Sequence, residues 1–251
     1  MYEYWLEPWV PHSGRVFVDV GANVGAWARW LAPRFQHGYA IEPNPDALPI
    51  LWANLPCNVT VHEIGAWNHE TTLTFTRFVD SAHLSSFFKE QGINTGPKVG
   101  TVELACCRID SLFINQTVDF LKCDIEGAEI QCLLGAEQLI LRDKPWLLVE
   151  NHSSGNFISL VRLLANWDYL FTIIRHPDYE PYSRFWFEHC WFSCQPLLEE
   201  GALQHRFLLE NNPSCEQSSN RANKTEVCRR LQERHRSAQS GPFSVAAAKP
   251  R

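Results

Sequence analysis

No apolar run in this 251-residue chain approaches the roughly 20 residues that a membrane-spanning helix needs. The first ten residues hold two glutamates and a proline but no basic cluster ahead of an apolar stretch, so they do not read as a secretory leader. The expectation is a cytoplasmic protein, in which the four sequons beginning at Asn58, Asn115, Asn151 and Asn223 carry no glycan. The nine cysteines are odd in number and contain no CxxC. Cys106 and Cys107 are adjacent, and Cys190 and Cys194 form a CxxxC with no histidine pair, which argues against a disulfide framework or structural zinc. An excess of positive charge is also lacking: the net charge is −6 and the pI near 5.9, so nothing draws the whole chain to nucleic acid or anionic lipid. The charge is unevenly spread, because Cys215 to Arg251 carries eight Lys or Arg against three acids. No internal repeat is present. Finally, the GxGxxG of a dinucleotide site is missing, which disfavours a nicotinamide-linked oxidoreductase.

What the chain does contain is apolar residues at 45 %, including 10 Trp and 15 Phe, enough for one well-filled core. Residues 1–14 read as a lead-in, 15–197 as a single domain, and 198–251 as a polar, basic, disordered tail with one short helix at Thr225 to His235. Strand and helix signals alternate through the domain, which predicts a mostly parallel sheet with helices on both faces. Strands are expected at Val16 to Val20, Tyr39 to Glu42, Asn58 to Glu63, Val118 to Asp124, Pro145 to Glu150, Tyr169 to Ile174 and Phe185 to Phe192. A further strand at Thr72 to Phe78 is expected in an antiparallel excursion. Helices follow the stripes Val24, Trp27, Ala28, Leu31 and Phe157, Leu160, Val161, Leu164, and a third spans Ala128 to Leu141 with a break near Gly135. A fourth, capped by Asn44 and begun by Pro45, should be kinked at Pro49. Residues 80–101 have no periodicity and read as a candidate lid loop.

The informative stretch is Val16 to Gly25, VFVDVGANVG, a buried strand running into a glycine turn. Asp19, Gly21, Asn23 and Gly25 form a DxGxxxG pattern suited to a cofactor whose polar tail is an amino acid without phosphates, which is S-adenosylmethionine. Glu42 lies 21 positions after Gly21, where a carboxylate accepts hydrogen bonds from a ribose diol, with Asn44 beside it.

The blocks VDVGANVG, IEPNP, DFLKCDIEGAEIQCLLGA and PWLLVENH, in that order over about residues 15 to 195, resemble the FkbM-type methyltransferase family. The resemblance implies an α/β, Rossmann-like class I methyltransferase fold with a seven-stranded, mostly parallel sheet, and S-adenosyl-L-methionine as cofactor. It further implies methyl transfer to a hydroxyl of a sugar, glycan or other small molecule. The cofactor would then be held by Asp19, Gly21, Asn23, Gly25, Glu42, Asn44 and Asp124, with Gly65, Ala66 and Trp67 bordering the adenine.

Asp124, Glu126, Glu150 and His152 are the candidate catalytic residues. Glu126 leads as the group that orients or deprotonates the acceptor hydroxyl, with Glu150 and His152 as rivals. His152 alone would more commonly be a surface or satisfied histidine, and Lys122 a snorkelling side chain or a partner of a carboxylate. The same four candidates could hold magnesium, and the metal is left unassigned. Two other functions stay open: a catalytically silent binding module, and an RNA-directed methyltransferase that uses the basic tail.

Overall fold

The computed structural model describes residues 4–78, 98–175 and 190–196. The tail from residue 197, its expected helix, the first half of the strand expected at Phe185 to Phe192 and nearly all of the candidate lid lie outside the described residues. The last four lid positions, 98–101, open a long strand instead.

The main sheet has seven strands in the spatial order β3-β2-β1-β7-β8-β10-β9. These are β1 (Gly14–Val20), β2 (Phe35–Ile41), β3 (Val59–His62), β7 (Phe120–Cys123), β8 (Trp146–Asn151), β9 (Tyr169–Arg175) and β10 (Cys190–Pro196). All neighbours pair in parallel except β10, which is antiparallel to both β8 and β9 and inserted between them. β1 sits between β2 and β7, so successive crossovers leave it in opposite directions. That switch point opens a crevice at the carboxyl ends of the strands.

β1 and β7 read as near-continuous apolar runs because both of their faces are covered. Alternation assigns the faces. Val16, Val18, Val20, Leu121, Cys123, Leu147 and Val149 point into a core roofed by α3 (Ile109–Leu112), α4 (Glu129–Gly135), α5 (Glu137–Asp143) and α6 (Ser154–Asn166). Phe17, Ala40, Phe120, Leu148 and Trp191 point into a second core with α1 (Ala26–Leu31) and part of α2 (Leu48–Asn54). The lead-in belongs to this second core: a 3-10 turn at Tyr4–Trp9 buries Leu6 completely, and Val10 follows it inside.

The antiparallel excursion is a separate three-stranded sheet. β5 (Thr71–Phe78) pairs along β6 (Lys98–Cys107), and β4 (Gly65–Ala66) lies on the other edge of β6. Arg77 anchors it to the loop after β2 by donating from Nε to Asp46 Oδ2 at 2.6 Å. Pro49 does not kink α2. Asn44 forms a turn of its own, accepting Asp46 N–H at its side chain and Leu48 N–H at its carbonyl, so the helix begins at Leu48 and the proline falls in the first turn, where a missing N–H costs nothing. The break at Gly135 is real: α4 ends there and α5 starts two residues later.

Candidate active site

Period-two geometry places the charged residues. Asp19 is on the Phe17 face of β1 and Lys122 on the Phe120 face of β7, and the register sets the two opposite each other. Both are buried. Lys122 Nζ lies 3.1 Å from Asp19 Oδ1 and 3.3 Å from Asp124 Oδ2, and it donates to the carbonyl of Gly21 at 3.2 Å. Burial pushes the Asp19 carboxyl up and Lys122 pulls it back. Asp19 is thus turned into the sheet toward Lys122, with none of its surface exposed.

Gly21 and Gly25 hold φ of 77° and 85°, and Asn23 joins them in the left-handed region at 49°. A Cβ on Gly21 would collide with the carbonyl oxygen of Asp124, so the glycine is what lets the β1 and β7 ends close together. Glu42 is the hinge pin of this corner. Its Oε2 accepts Asn23 N–H and its Oε1 accepts Asn44 N–H, each at 2.7 Å, clamping the glycine loop to the loop after β2. Burial lifts its carboxyl to about 7 in spite of those two donors.

The four catalytic candidates come together at the ends of β7 and β8. His152 is buried, with Nε2 3.5 Å from Asp124 Oδ1, 3.7 Å from Glu126 Oε2 and 3.7 Å from Glu150 Oε2. Its Nδ1 faces Glu129 Oε1 at 2.8 Å. Burial disfavours the imidazolium, yet Glu150, Glu126 and Glu129 together hold His152 protonated well above its ordinary range. Burial also raises Asp124, but Lys122, His152 and a hydrogen bond with Glu150 bring it below the usual carboxylate value. Glu126 goes the other way: burial lifts it to about 7 against the pull of His152. Its backbone is left-handed, φ 54°, an uncommon conformation for a residue with a Cβ.

Glu129 was not among the residues singled out from the sequence. It is buried, and its Oε1 accepts Gly127 N–H at 2.8 Å while facing His152, so it fixes both the turn and the ring. The signal was available: Glu129, Cys132 and Leu133 share the i, i+3, i+4 stripe that α4 buries, and an acid on such a stripe needs a partner. Gly65 and Ala66 form β4, and Trp67 N–H donates to Cys107 O at 2.9 Å. The Trp67 carbonyl lies against Gly135, at the end of α4 remote from Glu129, about 9 Å of helical rise away. The backbone of this trio therefore stands apart from the cluster around His152.

The family model for the methyltransferase FkbM domain matches residues 19–180, more than half of the chain and the whole of this constellation. The chain belongs to the FkbM methyltransferase family. Methyltransferase 1 of Beauveria bassiana (strain ARSEF 2860) is 24 % identical over 194 residues, which are 65 % of this chain and 75 % of that protein. The crystal structure of methyltransferase FkbM from Methylobacillus flagellatus KT superposes with a TM-score of 0.52 at 22 % identity, covering 73 % of this chain. This chain spans less than half, 44 %, of that protein. M. capricolum TrmK, solved with S-adenosyl-homocysteine, is 12 % identical with a TM-score of 0.42, covering 94 % of this chain and 97 % of its own. The chain thus carries an FkbM methyltransferase domain on a Rossmann-like seven-stranded sheet. Among the described residues no helix is long and apolar enough to cross a membrane.

Proposed function

We propose that this FkbM-family chain methylates a hydroxyl of a sugar, glycan or other small molecule. The observation that carries the reading is the convergence of Asp124, Glu126, Glu150 and His152 at two adjacent strand ends beside the glycine loop. S-adenosylmethionine fits this corner: the Glu42 oxygens each keep a lone pair beyond their backbone donors for ribose hydroxyls, and among the described residues carboxylates outnumber cations where a sulfonium would lie. When bound it supplies an electrophilic methyl group. The residues of the chain then have three tasks. Glu42, Asn23 and Asn44 hold the nucleoside side, and Asp124, fixed by Lys122, borders the reacting end. Glu126 stands next to it on a strained turn with part of its side chain accessible, and it orients the acceptor hydroxyl and takes its proton.

Calorimetric titration with S-adenosylhomocysteine, followed by transfer of labelled methyl to a library of hydroxyl acceptors, tests the reading. Glu126→Gln should keep the affinity and lose about 100-fold in turnover, the scale of a positioned base. Absence of binding by the wild-type chain would sink the proposal. Binding with label delivered to nitrogen or carbon would remove its oxygen-directed part.

A further inference from the structure

The ligand atoms of Asp124, Glu150 and His152 all lie within 4.8 Å of one another. We propose that these three side chains form a binding site for a divalent cation of the Mn2+ or Mg2+ kind. Three independent features carry this.

The first is spacing. Donors about 2.1 Å from a shared ion stand roughly 3 to 4.3 Å from each other, depending on the angle at the metal. The distances from His152 Nε2 to Asp124 Oδ1 and Glu150 Oε2, 3.5 and 3.7 Å, lie in that interval, longer than direct hydrogen bonds ordinarily are. The second is the support behind the histidine. Its Nδ1 is engaged by the buried Glu129 at 2.8 Å, and Glu129 is in turn fixed by Gly127 N–H. A ligating histidine is ordinarily steadied by such a carboxylate, which sets the tautomer and aims Nε2 at the ion. Glu129 Oε2 is itself buried and meets no hydrogen-bond donor among the described residues, so the orienting carboxylate is committed to this one corner. The third is charge. Among the described residues, five carboxylates, those of Asp19, Asp124, Glu126, Glu129 and Glu150, gather around Lys122 and His152 in a largely buried place. One imidazole with two carboxylates selects an oxygen-seeking ion, because sulfur donors are absent from the set.

The inference deepens the hydroxyl-methylation reading and, for its catalytic meaning, rests on it. An alcohol is too weak an acid for a carboxylate alone, and a bound dication lowers the pKa of a hydroxyl that coordinates it. The ion would therefore draw the acceptor oxygen to the same corner, leaving Glu126 to accept the proton.

Electron paramagnetic resonance of Mn2+ titrated into the full chain, with Mg2+ as competitor, tests the site without recourse to turnover. The wild type should take up one equivalent of Mn2+, displaced by excess Mg2+. Glu150→Gln and Asp124→Asn should each weaken uptake at least tenfold. Glu129→Gln should also weaken it by 10-fold or more although Glu129 would not touch the ion. His152 is the most deeply buried of the three ligands, so circular dichroism and a melting curve accompany each variant, and Glu150→Gln, the least intrusive change, decides if the others fail to fold. No stoichiometric uptake by the folded wild type, or uptake undiminished in Glu150→Gln, overturns the proposal. Calorimetry with S-adenosylhomocysteine on the same samples reads the methyltransferase proposal separately: cofactor binding without Mn2+ uptake rejects the cation site alone.

Discussion

Glu42 is the residue whose behaviour depends most on where it stands. Burial lifts its carboxyl from an ordinary 4.5 to about 7, so the sign of its linkage is unusual for an acid. Its stabilisation of the empty fold is present below pH 4.5 and lost as the pH rises through 7, because the neutral form is the better buried one. Ribose recognition needs the ionised form. The melting shift produced by saturating S-adenosylhomocysteine should therefore shrink as the pH falls from 8 to 5, with affinity dropping up to about tenfold per unit below 7. Thermal-shift titrations at several pH values check this, and Glu42→Gln should flatten the profile. The same variant leaves one of two backbone donors, Asn23 N–H or Asn44 N–H, without an acceptor, at a cost of about 1–3 kcal/mol. Lys122 gives a second prediction. Lys122→Met strands the Asp19 carboxylate inside the sheet and should destabilise by roughly 3–5 kcal/mol, whereas the pair Lys122→Met with Asp19→Leu should recover most of it in denaturant melts. Asp19, Glu42, Asp124 and Glu150 were legible as strand-end acids. The contact between Asp19 and Lys122 was not, because it depends on a register between strands a hundred residues apart in sequence. His152 read alone suggested a surface or satisfied histidine; the fold brings Glu129 of α4 to its Nδ1 and Asp124, Glu126 and Glu150 to its Nε2.

Among the elements, α4 ties the chemistry to the small sheet. Its first residue, Glu129, faces His152, and its last, Gly135, packs on the carbonyl of Trp67, where a Cβ would meet backbone. Gly135→Ala should lower stability by about 1–3 kcal/mol in spite of its gain in helix propensity. The measurement is an equilibrium unfolding curve, and an unchanged or raised midpoint would contradict it. The break in the helix at Gly135 and the antiparallel pairing of Thr71–Phe78 were both readable from pattern alone. The partner strand β6 was not, since half of its length alternates weakly and its start reads as part of a glycine-containing loop. The misjudged Pro49 shows the limit of local reasoning. Asn44 looked like a helix cap, and in the structure it closes a turn that delays the helix by three residues.

For the molecule as a whole, the two-sided sheet explains why so many aromatic residues are present. Phe17, Phe120 and Trp191 are completely buried in one core, as Tyr169 is in the other, with Phe113 nearly so. Fold class and the strands on the β1 side followed from sequence, because each strand is marked by an apolar run with an acid at or just past its end, whereas their spatial order did not. On the other side the late strand was placed at Phe185 to Phe192, and the sheet contains Cys190–Pro196. That strand fills the gap between β8 and β9, and β9 joins the sheet only through it. During synthesis, then, Tyr169–Arg175 emerges with α6 to pack on but no strand to pair with, and must wait for a segment made later. A free chain truncated before Cys190 should expose an open flank along Trp146–Asn151 and resist proteases poorly, whereas one extended through Pro196 should close it in one cooperative step.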